Sequence, residues 1–129
     1  MEDLKKVENT VNSVDAFIYW KDAEGVMLGG NKAILEAFGK DMIGKKNSDY
    51  FTDTEFGAWI EKIDHQVIST GQAVLNIHES GQDDQGNPVR VISNKYPIKD
   101  ANGKTIGLFG VTTPDLHAKP GEPKFYIKE

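Results

Sequence analysis

The sequence predicts an α+β domain built on a five-stranded antiparallel sheet with helices on one face. Three observations carry this prediction. The apolar, aromatic and β-branched runs fall into two groups, a hairpin near the N-terminus and three strands near the C-terminus. Between the groups lies a stretch whose apolar residues recur every three or four positions, as on a helix. Turns rich in Gly, Asn and Asp separate the runs.

Leu4, Val7, Val11 and Val14 form a narrow apolar stripe at three-four-three spacing, which predicts an amphipathic helix over residues 1–15. Such a helix either packs on its own domain or pairs with a second copy along a coiled-coil-like seam. Phe17 to Trp20 suits a strand, Asp22 to Gly25 a turn, and Val26 to Leu28 the returning strand. Asn31 is placed to cap a helix from Lys32 to Phe38, which Gly39 ends. Asp41 to Gly44 reads as one helical turn, and Lys45 to Phe51 as a polar connection.

The longest helix is capped by Thr52, Asp53 or Thr54 and runs to Thr70, with Gly71 at its end. Its stripe is Phe56, Ile60, Ile63 and Val67, flanked by Trp59, and should lie against the sheet. Strands follow at 73–79, 89–98 and 105–113, with a polar loop at 81–88 and a turn at Asp100 to Gly103. Pro114 terminates the last strand. Residues 16–116 thus form the domain and 117–129 a tail, in which Phe125, Tyr126 and Ile127 are able to dock.

Composition narrows the function classes. The 129 residues suffice for one domain with its own core. There is no cysteine, so disulfides, thiol nucleophiles and thiolate metal sites are excluded. Fifteen basic residues against twenty acidic ones give a net charge of −5, which argues against a nucleic-acid footprint. Lys5-Lys6 and Lys45-Lys46 are too short for basic patches and read as solvated surface. No apolar run approaches the ~18 residues of a membrane span, and the acidic start is no secretory signal, so a cytoplasmic location is expected.

The order of elements and several short motifs resemble the PAS family. The matching pieces are Tyr19 to Gly25, Gly30-Asn31-Lys32-Ala33, Ile43-Gly44-Lys45, Asp49-Tyr50-Phe51, Thr70-Gly71 and Tyr96 to Val111. Each is weak alone, but in this order they cover about Val14 to Leu116. The resemblance implies strand order 2-1-5-4-3, and often a cavity between sheet and helices. It implies a non-enzymatic sensory module of signal transduction, as in two-component systems, that binds a small ligand or a protein partner or effector, commonly as a homodimer. A ligand-free dimerisation domain is the rival reading, and a small cone-shaped α+β enzyme a remote one. The Asp-Ile-Thr triplet that ends the last strand in many members is replaced here by Asp115-Leu116-His117, displaced by Pro114.

The residues suggest a pocket lined by Tyr19, Asn31, Phe56, Ile60, Ile63, Val67, Ile77, Ile92, Asn94 and Leu108, with Val111 a further sheet-side contact. Alternation places Leu75 and Ile77 inward and His78 outside. If Ile92, Asn94 and Tyr96 point inward, Asn94 is a buried polar group needing a partner such as Tyr19 or a ligand. The opposing sheet face, with Phe17 or Trp20 and Phe109, would supply the interaction surface, and Leu4, Val7, Val11 and Val14 the dimer contact. Asn31 is read first as a helix cap, and His65, off the helical stripe, as a surface residue. Carboxylates fall on polar faces or turns, leaving no base for an enzyme pocket. No metal site is predicted. A cysteinyl-flavin adduct is impossible, while noncovalent flavin and haem stay open.

Overall fold

The computed structural model describes the backbone of residues 2–50, 54–82 and 85–128, and their side chains except at 2–5, 48, 50, 54, 81 and 82. The elements are α1 (Glu2–Ser13), β1 (Phe17–Asp22), β2 (Met27–Gly30), α2 (Lys32–Phe38), a 3-10 turn (Lys40–Met42), α3 (Asn47–Tyr50) and α4 (Thr54–Thr70). They continue with β3 (Val74–Gln82), β4 (Pro88–Lys99), β5 (Thr105–Pro114) and β6 (Phe125–Ile127). The connection expected over Lys45 to Phe51 therefore contains a short helix. Thr52, Asp53, Asp83, Asp84 and the Leu4 side chain lie outside the described residues.

One antiparallel sheet has the order β2-β1-β5-β4-β3-β6. The first five strands follow the order implied by the resemblance; the sixth was not anticipated as a strand. Local chemistry shapes the turns. The Asp100 carboxylate accepts from the backbone N–H groups of Asn102 (2.9 Å) and Lys104 (3.0 Å), and Gly103 takes φ 83°. Ile60, Ile63 and Val67 of α4 are buried with Ile77 and Leu108 of the sheet.

Asn31 caps α2 and also ties the N-terminal helix to the sheet. Its Oδ1 accepts from Ile34 N (3.3 Å) and Ile18 N (3.1 Å), while its Nδ2 donates to Ala16 O (2.8 Å) and Val11 O (3.2 Å). The amide is fully used, so Asn31 has a structural part and lies outside the cavity described below. On α1, Val7 is 60% exposed and Val11 half-buried, and Val14, just past the helix end, is 39% exposed.

Two strands depart from simple alternation. In β3 the register shifts between Val74 and Ile77, and Asn76 adopts φ 56°. An extra residue in a bulge sends both Val74 and Ile77 inward and leaves Leu75 46% exposed, against expectation. In β4 the phase is the reverse of the expected one. Ser93 and Lys95 point inward, whereas Ile92, Asn94 and Tyr96 face the other side. Asn94 there accepts from Asn76 N at 2.9 Å instead of facing a cavity.

The tail folds back as β6 along the β3 edge, pairing Ile77, His78 and Glu79 with Ile127, Tyr126 and Phe125. Phe125 packs on Trp59 (4.8 Å between centroids) and Phe56 (6.1 Å). Tyr126 stacks on His78 at 4.7 Å, and His78 Nδ1 lies 3.1 Å from Asp115 Oδ2. His78 is thus on the outer face, as expected, yet covered. Burial opposes ionisation of Asp115, but His117 N–H and the His78 ring hold its carboxyl below the usual range. The Arg90 guanidinium donates to Pro123 O at 2.7 Å. Covering an edge strand in this way blocks pairing with other chains. Phe125→Ala is expected to cost about 2 kcal/mol for a half-buried ring. Denaturant melts, with faster amide exchange at His78, whose N–H faces β6, would measure this.

Candidate functional site

The inner face of the sheet carries a polar cluster inside an apolar shell. Alternation along β1 directs Phe17, Tyr19 and Lys21 inward. Tyr19 pairs with Gly110 of β5, which pairs in turn with Lys95 of β4. Because Gly110 has no side chain, the Tyr19 phenol occupies the space above it. Lys21 and Lys95 place their ammonium groups 5.5 and 6.0 Å from the Tyr19 ring centroid.

Asp64 of α4 closes the cluster from above. Its Oδ2 receives Lys21 Nζ and its Oδ1 receives Lys95 Nζ, both at 2.6 Å. Asn47 of α3 donates to Asp64 Oδ2 (3.1 Å) and accepts from Lys21 Nζ (3.1 Å). On the neighbouring strand, Ser93 Oγ donates to Glu79 Oε1 and lies 2.7 Å from Thr112 Oγ1. Lys21, Asp64, Glu79, Ser93 and Lys95 are all buried. Two inward carboxylates correct the expectation that none would be found.

Burial and pairing compete at each group. Burial raises the Asp64 carboxyl, but Lys95 and Lys21 outweigh it and hold Asp64 below its usual range. For Lys95, burial works downward, and Tyr19, Asp64 and Glu79 drive the ammonium well above its ordinary value. At Lys21 burial wins and lowers it, despite Asp64. Burial pushes Glu79 up and lifts Tyr19 to about 12. The Lys95–Asp64 pair is therefore the charged centre of the cluster.

Beside it lies a cavity of about 110 Å³ between the sheet, α2, the 3-10 turn and α4. Phe17, Met27, Ile34, Phe38, Met42 and Ile60 supply apolar wall; Lys21, Glu79, Lys95 and Thr112 supply polar wall. Lys45 and Lys46, exposed as expected, stand at its rim with Asn47. Of the sequence-derived pocket set, Tyr19 and Ile60 line this cavity. Ile63, Val67, Ile77 and Leu108 are buried in the core beside it, and Phe56 meets Phe125. Ile92 and Asn94 are on the opposite face, as is Val111, which pairs with Asn94. His65 is exposed.

The sequence reading missed Lys21, Asp64, Glu79 and Lys95. Three of these had a signal. Lys21 continues the inward alternation of Tyr19, Glu79 that of Ile77, and Asp64 lies four residues after Ile60 and three before Val67, on the buried stripe of α4. On the outer face, Trp20, not Phe17, accompanies Phe109, with Tyr96 next in the row.

This arrangement, one antiparallel sheet with helices enclosing a small cavity, defines an α+β domain of the cavity-bearing, sheet-and-helix class. The chain belongs to the PAS family: the family model described as PAS fold matches residues 11–114. No curated protein sequence matches the chain. Among solved structures, VqmA bound to DPO is similar at TM-score 0.76 and 22% identity, over 88% of this chain and 58% of that one. The Vibrio cholerae VqmA dimer in the absence of target DNA gives TM-score 0.76 and 22% identity over 88% and 53%. The PAS domain from Bordetella pertussis BvgS gives TM-score 0.68 and 21% identity over 91% and 89%. The chain thus spans little more than half the length of the VqmA chains it matches. Among the described residues, no helix is long and apolar enough to cross a membrane.

Proposed function

We propose that this domain is a ligand sensor: a small molecule enters the cavity beside Lys95 and Glu79 and shifts the domain between two conformations. The observation carrying this reading is the buried Lys21–Asp64–Lys95 cluster with Glu79 on the wall of an otherwise apolar cavity. A protein that only packs its core has little reason to bury such groups, since replacing buried ion pairs with apolar residues is often neutral or stabilising. Apolar walls with a few convergent polar groups are what small-molecule sites look like. Similarity in fold to VqmA, solved bound to DPO, supports a ligand-binding reading.

The volume favours a ligand of about one ring. An engineered cavity of roughly 150 Å³ accepts benzene, and this one is about 110 Å³ with an open rim. Flavin and haem are far larger. The signal would leave through the outer face around Trp20, Phe109 and Tyr96 and through α1, where Val7, and Val14 just past the helix end, are exposed for a second copy. A homodimer coupled to a protein partner or effector is the form proposed, with no catalytic step. At a net charge of −5, nucleic-acid contact by this chain is not part of the proposal.

The exposed stripe of α1 and the apolar outer face also fit a ligand-free dimerisation domain. A native mass spectrum of the purified protein, with its absorption spectrum, separates the two. An added mass of a few hundred daltons or less, lost on denaturation, is the expected result for a sensor. An unliganded mass that persists when the protein is desalted directly from cell extract would favour the dimerisation domain.

A further inference from the structure

The wall of the cavity contains one polar atom whose bonding is incomplete. Glu79 is 6% exposed and lines the cavity. Its Oε1 is taken by the Ser93 hydroxyl, whose own oxygen lies 2.7 Å from Thr112 Oγ1. Its Oε2 is buried and has no hydrogen-bond partner among the described residues. The nearby ammonium of Lys95 is held by Asp64 at 2.6 Å. A carboxylate oxygen buried without a donor is costly, and buried polar atoms in folded proteins are nearly always bonded.

We propose that the cavity selects uncharged small molecules carrying an N–H or O–H group, and that Glu79 Oε2 accepts from that group. The proposal rests on the cavity being the ligand site. A cationic donor would meet the ammonium groups of Lys21 and Lys95 at short range, and an anion would meet Glu79 itself. The ligand body is set by the apolar wall of Phe17, Met27, Ile34 and Phe38. Glu79 is thus the residue that distinguishes ligands of one shape by whether they donate.

Phenol and fluorobenzene test this, being close in shape but differing in the donor. Titration of the full chain, followed by amide NMR shifts around the cavity, should show phenol binding about tenfold more tightly, as expected for a hydrogen bond to a carboxylate. Glu79→Leu should bring the two affinities within about twofold; Glu79→Met serves the same purpose if the leucine variant does not fold. Equal affinities in the unaltered protein overturn the role of Glu79 and leave the cavity reading standing. A phenol preference that survives the substitution overturns it too, by assigning the donor to another group. If neither probe shifts the cavity amides, the cavity reading fails and the proposal with it.

Discussion

Asp64→Asn is expected to destabilise the protein by about 3–5 kcal/mol, the largest effect of any single substitution in the cluster. Asp64 is the carboxylate bonded to both Lys21 and Lys95, each at 2.6 Å. Removing its charge leaves two ammonium groups close together in a site that excludes water. Glu79 is near but bonded to Ser93, and burial already holds its carboxyl above the usual range. For a chain of this size the loss amounts to more than about 10 °C in melting temperature. The triple replacement Lys21→Met, Asp64→Leu and Lys95→Met should regain most of the lost stability, since it removes all three charges together. That variant is expected to fold but to lose Lys21 and Lys95 from the polar wall of the cavity.

The same pair predicts a pH dependence. The folded-state pKa of Asp64 is depressed, so its contribution is fully present above the unfolded value near 3.8. That contribution is lost as pH falls through the lower folded value. The unaltered protein should therefore show a steeper acid limb in thermal melts than Asp64→Asn, which keeps the contribution of Asp115. A limb of equal steepness in both proteins would mean that Asp64 does not carry the ion pair in solution.

Gly110→Ala is expected to cost about 3 kcal/mol, the upper end of the usual range for overpacking, and to close the cavity. A methyl group at this position would fall inside the van der Waals envelope of two ring carbons and the hydroxyl oxygen of Tyr19. The ring cannot simply rotate away, because Lys21 and Lys95 stand beside it. Its route of escape is into the cavity. Melting measures the stability, and native mass spectrometry of the variant measures any bound ligand. An alanine variant with unchanged stability and full ligand occupancy would show that Tyr19 is not confined as described.

Much of the architecture was legible in the residues because local rules decide it. Asn31 as a cap, Gly71 at the end of α4 with φ 68°, and the Asp100–Gly103 turn all depend on neighbours a few positions away. The stripe Ile60, Ile63 and Val67 stated which side of α4 is buried. The inward position of Tyr19 was read from the residues, whereas the choice between Phe17 and Trp20 for the outer face was left to the structure. Family-level motifs then supplied the order of the first five strands.

The sequence by itself determined the fold class, the element order and the buried face of α4, through periodicity and turn chemistry. Only the tertiary structure decided the phase of β4, the bulge in β3, the docking of β6 and the composition of the site. In β4 apolar residues occupy both phases, Val89 and Val91 on one side and Ile92 and Tyr96 on the other, so hydrophobicity does not choose. The choice falls to Lys95, whose charge is acceptable inside because Asp64, far away in the chain, meets it there. A bulge at Asn76 and a three-residue strand on the β3 edge leave no period to read. Buried charge is the general case: a lysine or aspartate looks like surface until the fold brings its counterion to it.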